Sequence, residues 1–198
     1  MDDAAPPTDA DRRPTLVRDI VRLRPGSEAD VAPLHAVLAG PGVVAWWGEP
    51  QSAEQIRLDL AGEDETVLLV IEVDGEVVGG IQYSQELDPM YRHAGIDIFL
   101  DERASGRGVG REAVALLARH LVERLGHHRL TMDPAADNER AIRCYASVGF
   151  RPVGRLRAYE RTLDGTFRDG LLMDLLADEL VDAPPRPSPS PTPDRTPG

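Results

Sequence analysis

Glycine occupies every second position of the segment 106–110, and this spacing restricts the fold more than any other feature of the chain. The segment follows an apolar run, Gly95 to Leu100, that predicts a strand, and it precedes apolar residues at helical spacing that continue to Leu125. Glycine lets the backbone turn tightly and exposes its amides, and a helix start adds positive partial charge. This order predicts an α/β domain with an anion site suited to a pyrophosphate. A plain glycine-rich turn is the alternative.

The dinucleotide-binding fingerprint Gly-x-Gly-x-x-Gly does not fit this loop. Counted from Gly106 or Gly108, the last glycine of that pattern would fall on Arg111 or Ala113. The spacing therefore excludes a Rossmann-type nucleotide site.

Strand and helix patterns alternate along the rest of the chain. Asp74-Gly75 and Asp164-Gly165 predict tight hairpin turns, and Gly40-Pro41-Gly42 predicts a break in helical structure. The other predicted strands are Leu16 to Arg24, Thr66 to Val73, Glu76 to Ser84, Arg129 to Met132, Arg151 to Thr162 and Thr166 to Leu175. The other predicted helices are Ser27 to Leu38, Ala53 to Leu60 and Asn138 to Val148. Hairpins mixed with crossovers predict a mixed sheet packed by helices in one domain.

The two ends of the chain differ in composition from its middle. Residues 1–14 are rich in Asp, Ala and Pro, and residues 182–198 are rich in Pro. Neither segment has the apolar side chains that a core requires, so both are predicted to be disordered tails. The folded domain is predicted to span residues 15–181, and 41% hydrophobic residues suffice for its core.

Charge and residue usage exclude several functions. The formal net charge of −12 disfavours nucleic acid and favours cationic ligands, although solubility alone also accounts for it. All 22 basic residues are arginine, which excludes Schiff-base chemistry, a lysine nucleophile and a Walker-type phosphate loop. Cys144 is the single cysteine, so no internal disulfide forms, and no apolar run approaches the ~18 residues of a membrane span. We expect a cytoplasmic monomer or homodimer without a metal, nucleic-acid or membrane partner.

The segment Ser105 to Gly110 resembles the pyrophosphate loop of the GCN5-related N-acetyltransferases, the GNAT superfamily, whose pattern is Gln/Arg-x-x-Gly-x-Gly/Ala. Ser105 departs from that pattern at its first position. The resemblance implies an α/β fold with a mixed, mostly antiparallel central sheet, splayed strands and about four flanking helices. It also implies acetyl-CoA as co-substrate, its diphosphate held by the amides around Arg107, Gly108, Val109, Gly110 and Arg111. The arginine side chains would add charge-assisted contacts, or simply form a solvated helix start.

A second segment, Asn138 to Phe150, resembles the other cofactor motif of this superfamily, Asn-x-x-Ala-x-x-x-Tyr-x-x-x-Gly-Phe, position for position. By this resemblance Tyr145 would lie near the thiol of coenzyme A, where a phenol can protonate the departing thiolate; a core tyrosine is the alternative. Asn138 would cap the helix or bind the cofactor arm. Arg143 is expected among the cofactor-binding residues, as are Ile98 and Phe99, whose strand precedes the loop.

Asp97 is the expected general base. It interrupts the apolar run before the glycine loop, and a lone carboxylate there costs free energy unless it faces a cleft or has partners. An acceptor amine that is cationic in solution must lose a proton before it attacks a thioester, and a carboxylate at this position would assist. An ordinary acid at the edge of the sheet is the alternative.

Three details resemble a narrower group, the aminoglycoside 6′-N-acetyltransferases: Ala45-Trp-Trp-Gly, Gly95-Ile-Asp and Asp133-Pro. By this resemblance Trp46 and Trp47 would wall the acceptor site, and Asp97 with Asp133 would bind ammonium groups. Acids and aromatic faces suit such polycations. The loop that should shape the pocket matches this group less well, and it adds the candidate acceptor contacts Glu86 and Asp88.

The expected reaction is therefore acetyl transfer from acetyl-CoA to the 6′-amino group of an aminoglycoside, by direct attack in a ternary complex. A siderophore-pathway lysine or hydroxylysine acyltransferase, or another small-amine acyltransferase, is the alternative within the class. A non-catalytic acetyl-CoA sensor is the alternative outside it, although such a protein would need neither Asp97 nor Tyr145.

Overall fold

The computed structural model describes residues 8–62 and 66–180. The strands are β1 (Leu16–Arg18), β2 (Val21–Pro25), β3 (Thr66–Val73), β4 (Glu76–Glu86), β5 (His93–Leu100), β6 (Arg129–Met132), β7 (Arg151–Arg161) and β8 (Phe167–Leu176). The α-helices are α1 (Asp9–Arg12), α2 (Val31–Leu38), α3 (Pro41–Trp47), α4 (Ala53–Ala61), α5 (Val109–Glu123) and α6 (Glu139–Ala146). The strands form one mixed sheet in the order β1-β2-β3-β4-β5-β6-β8-β7, which confirms the expected fold class.

The sheet is splayed at its one parallel pair in the described part of the chain. β5 pairs with β6 only through Ala94 with Leu130 and Gly95 with Thr131, whereas the other neighbouring strands run antiparallel. Beyond Gly95, β5 continues to Leu100 along β4 without a strand on its other side. The expected splay is therefore confirmed, and it opens a gap at the centre of the sheet.

Helices cover both faces of the sheet, and β3 shows how the sequence provides for this. Its residues alternate between two cores: Leu69 and Ile71 pack on the side of α5, and Leu68 and Val70 pack on the side of α2 and α4. Successive side chains of a strand point to opposite faces, so a central strand covered on both faces requires a nearly continuous apolar run.

One prediction about local structure was wrong. The predicted strand Leu16 to Arg24 is two strands, because Asp19 adopts a left-handed conformation with φ 48° and reverses the chain. The predicted break at Gly40-Pro41-Gly42 is confirmed, because α2 ends at Leu38, but an additional helix, α3, begins there, with Pro41 at a first-turn position where proline loses no hydrogen bond. With α1 and α3, the described chain has six α-helices where about four were expected.

The N-terminal boundary also differs from the prediction. Residues 8–14, expected to be part of a disordered tail, include α1 and contact the domain. The Tyr83 hydroxyl donates to the Arg12 carbonyl at 2.6 Å, and Arg13 donates to the Ala61 carbonyl at 3.1 Å. The remainder of that predicted tail, residues 1–7, and the predicted C-terminal tail, 182–198, lie outside the described residues.

Within residues 8–62 and 66–180, no single helix is both long and apolar enough to cross a membrane. The segments Glu28–Leu38 and Pro41–Trp47 reach the required length and composition only together, and they are bent by 84°.

The close approach of β4 and β5 beside the gap predicts a stability effect. A Cβ at Gly79 would lie 2.2 Å from the Phe99 carbonyl oxygen, so Gly79→Ala should destabilise the protein by about 1–3 kcal/mol in urea unfolding. Gly154→Ala is the control, since nothing lies within 4 Å of a Cβ there, and we expect a change below about 0.5 kcal/mol. Equal effects of the two substitutions would contradict this account.

Candidate active site

Two cavities meet where β5 separates from β6. The first, of about 400 Å³, runs from α3 along the end of β5 to the starts of α5 and α6. The second, of about 380 Å³, lies between α3, β5, the loop after β6 and β7. They share five lining residues: Trp46, Trp47, Ile98, Asn138 and Tyr145. A ligand in one cavity can therefore contact a ligand in the other at this junction.

The glycine loop forms one end of the first cavity. Gly106 and Gly108 have φ values of 73° and 77°, a left-handed conformation that favours glycine, and Gly108 is the N-cap of α5. The first amides of an α-helix have no partner within the helix, so this end of the cavity offers backbone donors to an anion. The buried Nε of Arg111, which also lines the cavity, has no hydrogen-bond partner among the described residues. The unpaired helix-start amides fit a diphosphate, and the positive charge of Arg111 beside them favours an anion.

Eight of the nine expected cofactor-binding residues line this first cavity: Ile98, Phe99, Gly108, Val109, Gly110, Arg111, Asn138 and Arg143. The exception is Arg107, whose guanidinium lies 3.7 Å from the Asp74 carboxylate and does not line the cavity. The structure therefore does not support the expected contact from its side chain, because residue 107 projects from the turn toward the β3–β4 hairpin. Asn138 caps α6, accepting from the Ala141 amide at 3.1 Å.

The sequence reasoning missed Arg140. It lines the first cavity, and its guanidinium donates to the Ser105 hydroxyl at 3.1 Å, at the loop position where the motif pattern departs. Arg140 lies two residues after Asn138, about half a helical turn away. This spacing does not by itself indicate a contact with a loop more than 30 residues earlier in the chain.

The second cavity brings together four of the six expected acceptor residues. Trp46, Trp47, Asp97 and Asp133 line it. Glu86 and Asp88 line neither cavity, so their expected role is not supported by their position. Their carboxylates accept from backbone amides of the β4–β5 turn at 2.8 and 2.9 Å. The register of β4 and β5 explains why Glu86 and Asp88 lie away from the second cavity. Gln82 lies opposite Asp97, whereas Glu86 lies four residues farther along β4, toward the turn.

Asp97 is suited to proton transfer. Its carboxylate reaches solvent through the cavity but is otherwise surrounded by protein, and this loss of bulk water raises its pKa to about 6. The negative charge of Asp133 acts in the same direction, and Gln82, which donates to Asp97 at 3.5 Å, opposes it weakly. A carboxylate with a pKa near 6 is largely ionised at neutral pH and a stronger base than an ordinary aspartate.

Tyr145 lies at the junction of the two cavities and is 8% exposed. Burial is the main cause that raises the pKa of its phenol far above the usual value, and the nearby Cys144, Asp97 and Asp133 add to it. The phenol therefore stays protonated at physiological pH and is available to donate a hydrogen bond or its proton.

A bulge in β7 adds two residues to the second cavity that the sequence reasoning did not find, Tyr159 and Glu160. Between the pairs that Leu156 and Glu160 form with β8, three residues of β7 lie opposite one, and the middle one, Ala158, has φ 48°. This kink turns Tyr159 toward Asp133, to which its hydroxyl donates. That hydrogen bond is the main cause that raises the pKa of Tyr159 to about 12.

Comparisons with known proteins agree with this architecture. A sequence model of the acetyltransferase (GNAT) family matches residues 36–150. The chain is 29% identical over 159 residues to an aminoglycoside N(6′)-acetyltransferase type 1 from Klebsiella pneumoniae, covering 71% of this chain and 78% of the relative. It is 27% identical over 158 residues to a spermidine N(1)-acetyltransferase from Escherichia coli K12, covering 77% of this chain and 84% of the relative. Mycobacterium smegmatis RimJ in complex with CoA-disulfide is similar in structure, with a TM-score of 0.72 and 26% identity. The similarity covers 86% of this chain and 90% of the RimJ chain.

The chain belongs to the acetyltransferase (GNAT) family, as its two motifs indicated. It is an acetyl-CoA-dependent N-acetyltransferase. The first cavity therefore lies where the cofactor motifs meet, and the second lies across the junction from it.

The contrast between Arg111 and Arg107 predicts a difference in coenzyme A binding. Arg111→Met removes a guanidinium that lines the first cavity, so the dissociation constant for coenzyme A should rise about tenfold in calorimetry. Arg107→Met removes an exposed side chain paired with Asp74, and we expect a change of less than about threefold. The reverse order would show that the two side chains exchange roles when the cofactor binds.

Proposed function

We propose that the protein transfers the acetyl group of acetyl-CoA to a primary amine of a small polycationic molecule, with the 6′-amino group of an aminoglycoside as acceptor. The observation that carries the proposal is the second cavity, which combines Asp97 and Asp133 with the aromatic walls of Trp46 and Trp47. It adjoins the first cavity, so an ammonium group held by the carboxylates lies next to the end of the cofactor groove. The similarity to the Klebsiella aminoglycoside N(6′)-acetyltransferase supports the same acceptor class.

Acetyl-CoA would lie in the first cavity as a substrate. Backbone amides at the start of α5 and the Arg111 side chain would hold its diphosphate. The acetyl group would then lie near Ile98, which lines both cavities on the strand edge that β6 leaves uncovered. Free backbone donors on that edge would polarise the thioester carbonyl, because developing negative charge is stabilised by preorganised N–H groups.

Asp97 would act as general base toward the acceptor. It takes a proton from the bound ammonium, and the neutral nitrogen then attacks the thioester carbon. The new C–N bond forms as the C–S bond breaks, the nitrogen releases its second proton to solvent through the second cavity, and the leaving sulfur departs as a thiolate. Holding both substrates in adjoining cavities makes this attack effectively unimolecular.

Tyr145 would stabilise the thiolate. A phenol whose pKa is raised by burial is a weak acid, yet the same enclosure also raises the basicity of a thiolate at the junction. Hydrogen-bond donation, completed by proton transfer, would leave free thiol as product. The phenol would recover its proton from solvent through the open second cavity.

A linear polyamine is the second candidate acceptor, since the chain is also similar to a spermidine N(1)-acetyltransferase. A polyamine carries the same ammonium groups as an aminoglycoside but not its rigid rings. The broad aromatic wall formed by the two adjacent tryptophans favours the flat-sided, rigid acceptor.

The proposed acceptor can be tested by measuring thiol release from acetyl-CoA with kanamycin, tobramycin, spermidine, lysine, hydroxylysine and a peptide. We expect the highest kcat/KM with the two aminoglycosides, because only they offer both several ammonium groups and a rigid surface. Preference for spermidine would replace the acceptor but keep the class. Turnover of peptides alone would refute the polycation proposal, and coenzyme A binding without turnover of any amine would indicate a sensor.

The pKa of Asp97 predicts the pH dependence of the reaction. Because the base acts when ionised, kcat/KM should fall about tenfold per pH unit below about 6, on top of any effect of the amine's own ionisation. Asp97→Asn should lower kcat/KM by about 10²–10⁴-fold at pH 7.5 and remove this acidic limb. Asp88→Asn makes the same change outside both cavities and should preserve rate and profile. An unaltered rate in Asp97→Asn would rule out this base.

A further inference from the structure

One side chain, Arg168 on β8, joins parts of the chain that are far apart in sequence. Its guanidinium donates to the carbonyl oxygens of Ala45 and Trp46 in α3 at 2.9 and 2.8 Å. It also donates to both carboxylate oxygens of Glu160 on β7, at 2.6 and 2.9 Å. Four of its five N–H donors are thus engaged, and the side chain is only 18% exposed.

These contacts fix α3, a helix of seven residues that ends at Trp47. The last carbonyls of a helix have no partner within it, and a cation near them is stabilised by the helix dipole. Arg168 supplies both donor and charge, and its guanidinium also lies 5.2 Å from the centre of the Trp46 ring. The planar fork of arginine suits several acceptors at once, which a lysine ammonium does not.

The elements that Arg168 joins both line the second cavity. Trp46 and Trp47 on α3 line it, and so does Glu160 in the β7 bulge. Trp47 packs edge-on against Phe99, with ring centroids 5.1 Å apart, so α3 also rests on β5. Arg168 itself lines neither cavity, which means that it acts through the residues it holds.

We propose that Arg168 is a positioning residue that sets the width of the acceptor cavity by holding α3 against the β7–β8 hairpin. The proposal rests on the proposed function in that the second cavity is taken as the acceptor site. The glycine loop and α5, which hold the cofactor phosphates in that function, have no part in these contacts.

The contacts of Arg168 with α3 and Glu160, called the Arg168 clamp below, also affect the charge in the second cavity. Glu160 is compensated by Arg168, and Asp133 accepts from Tyr159, whereas the only contact of Asp97 among the described side chains is the long one from Gln82. The carboxylate least engaged by protein partners is therefore the one that we assign as base. Loss of Arg168 would add an uncompensated acid at Glu160 and release the tryptophan wall at the same time.

The test compares Arg168→Met with the wild-type protein in steady-state kinetics using kanamycin. We expect the KM for kanamycin to rise about tenfold with a smaller change in kcat, and the dissociation constant of coenzyme A to change less than about threefold. Arg168→Lys keeps the charge but cannot form the fork, so it should restore only part of the loss. Arg151→Met is the matched control, because Arg151 lies on β7 of the same hairpin, has an exposed side chain paired with Glu179 just after β8, and lines neither cavity; it should leave all three constants unchanged.

A second measurement does not depend on the acceptor. Hydrogen–deuterium exchange of the free protein should increase in residues 41–48 in Arg168→Met and stay the same in α5. Unchanged exchange in α3, or an equal loss of acceptor and coenzyme A affinity, would overturn the Arg168 clamp. If wild-type protein acetylates no amine, the proposed function fails, and the exchange experiment still decides whether Arg168 holds α3.

Discussion

The site depends on the early separation of β5 from β6. These strands share only two residue pairs, so the second half of β5 has backbone groups on one edge that no strand satisfies. Buried backbone donors and acceptors require partners, and such an edge is stable only where solvent or a ligand supplies them. Both cavities open onto this edge, which in the proposed function would place the ends of the two substrates side by side. Without the gap, the same motifs would lie on an ordinary closed sheet.

Electrostatics divides the site into two halves with opposite preferences. The first cavity has helix-start amides and guanidinium groups, among them an unpaired Arg111 Nε in the described part of the chain, and it suits phosphates. The second has carboxylates within an acidic protein, and it suits cations. Loss of bulk water, and secondly the charge of Asp133, raise the pKa of Asp97 into the range useful for a base. The proposed base therefore lies in the cation-binding half, next in sequence to Ile98, which lines both cavities.

The C-terminal hairpin contributes to the second cavity, which we propose as the acceptor site, through the exposed strand β7. β7 is mostly exposed, and its bulge with Ala158 in a left-handed conformation directs Tyr159 and Glu160 inward. Strained backbone of this kind persists where surrounding contacts require it, here the hydrogen bond of the Ala158 amide to Asp169 at 2.7 Å. The second cavity is thus shaped partly by a peripheral hairpin that is remote from the glycine loop.

The amino-acid sequence by itself determined the family, the strand–loop–helix that forms the phosphate end, and the pairing of Asp97 with the cofactor motifs. These are local patterns, because glycine spacing, helical periodicity and capping act over a few residues. Only the tertiary structure decided that Arg107 turns to Asp74 and that Glu86 and Asp88 lie away from the cavities. It also decided the contacts of three residues around the cavities: Arg140 with Ser105, Tyr159 with Asp133, and Arg168 with α3. Those outcomes depend on strand register, a bulge and contacts across more than 100 residues in the case of Arg168, none of which a local pattern encodes.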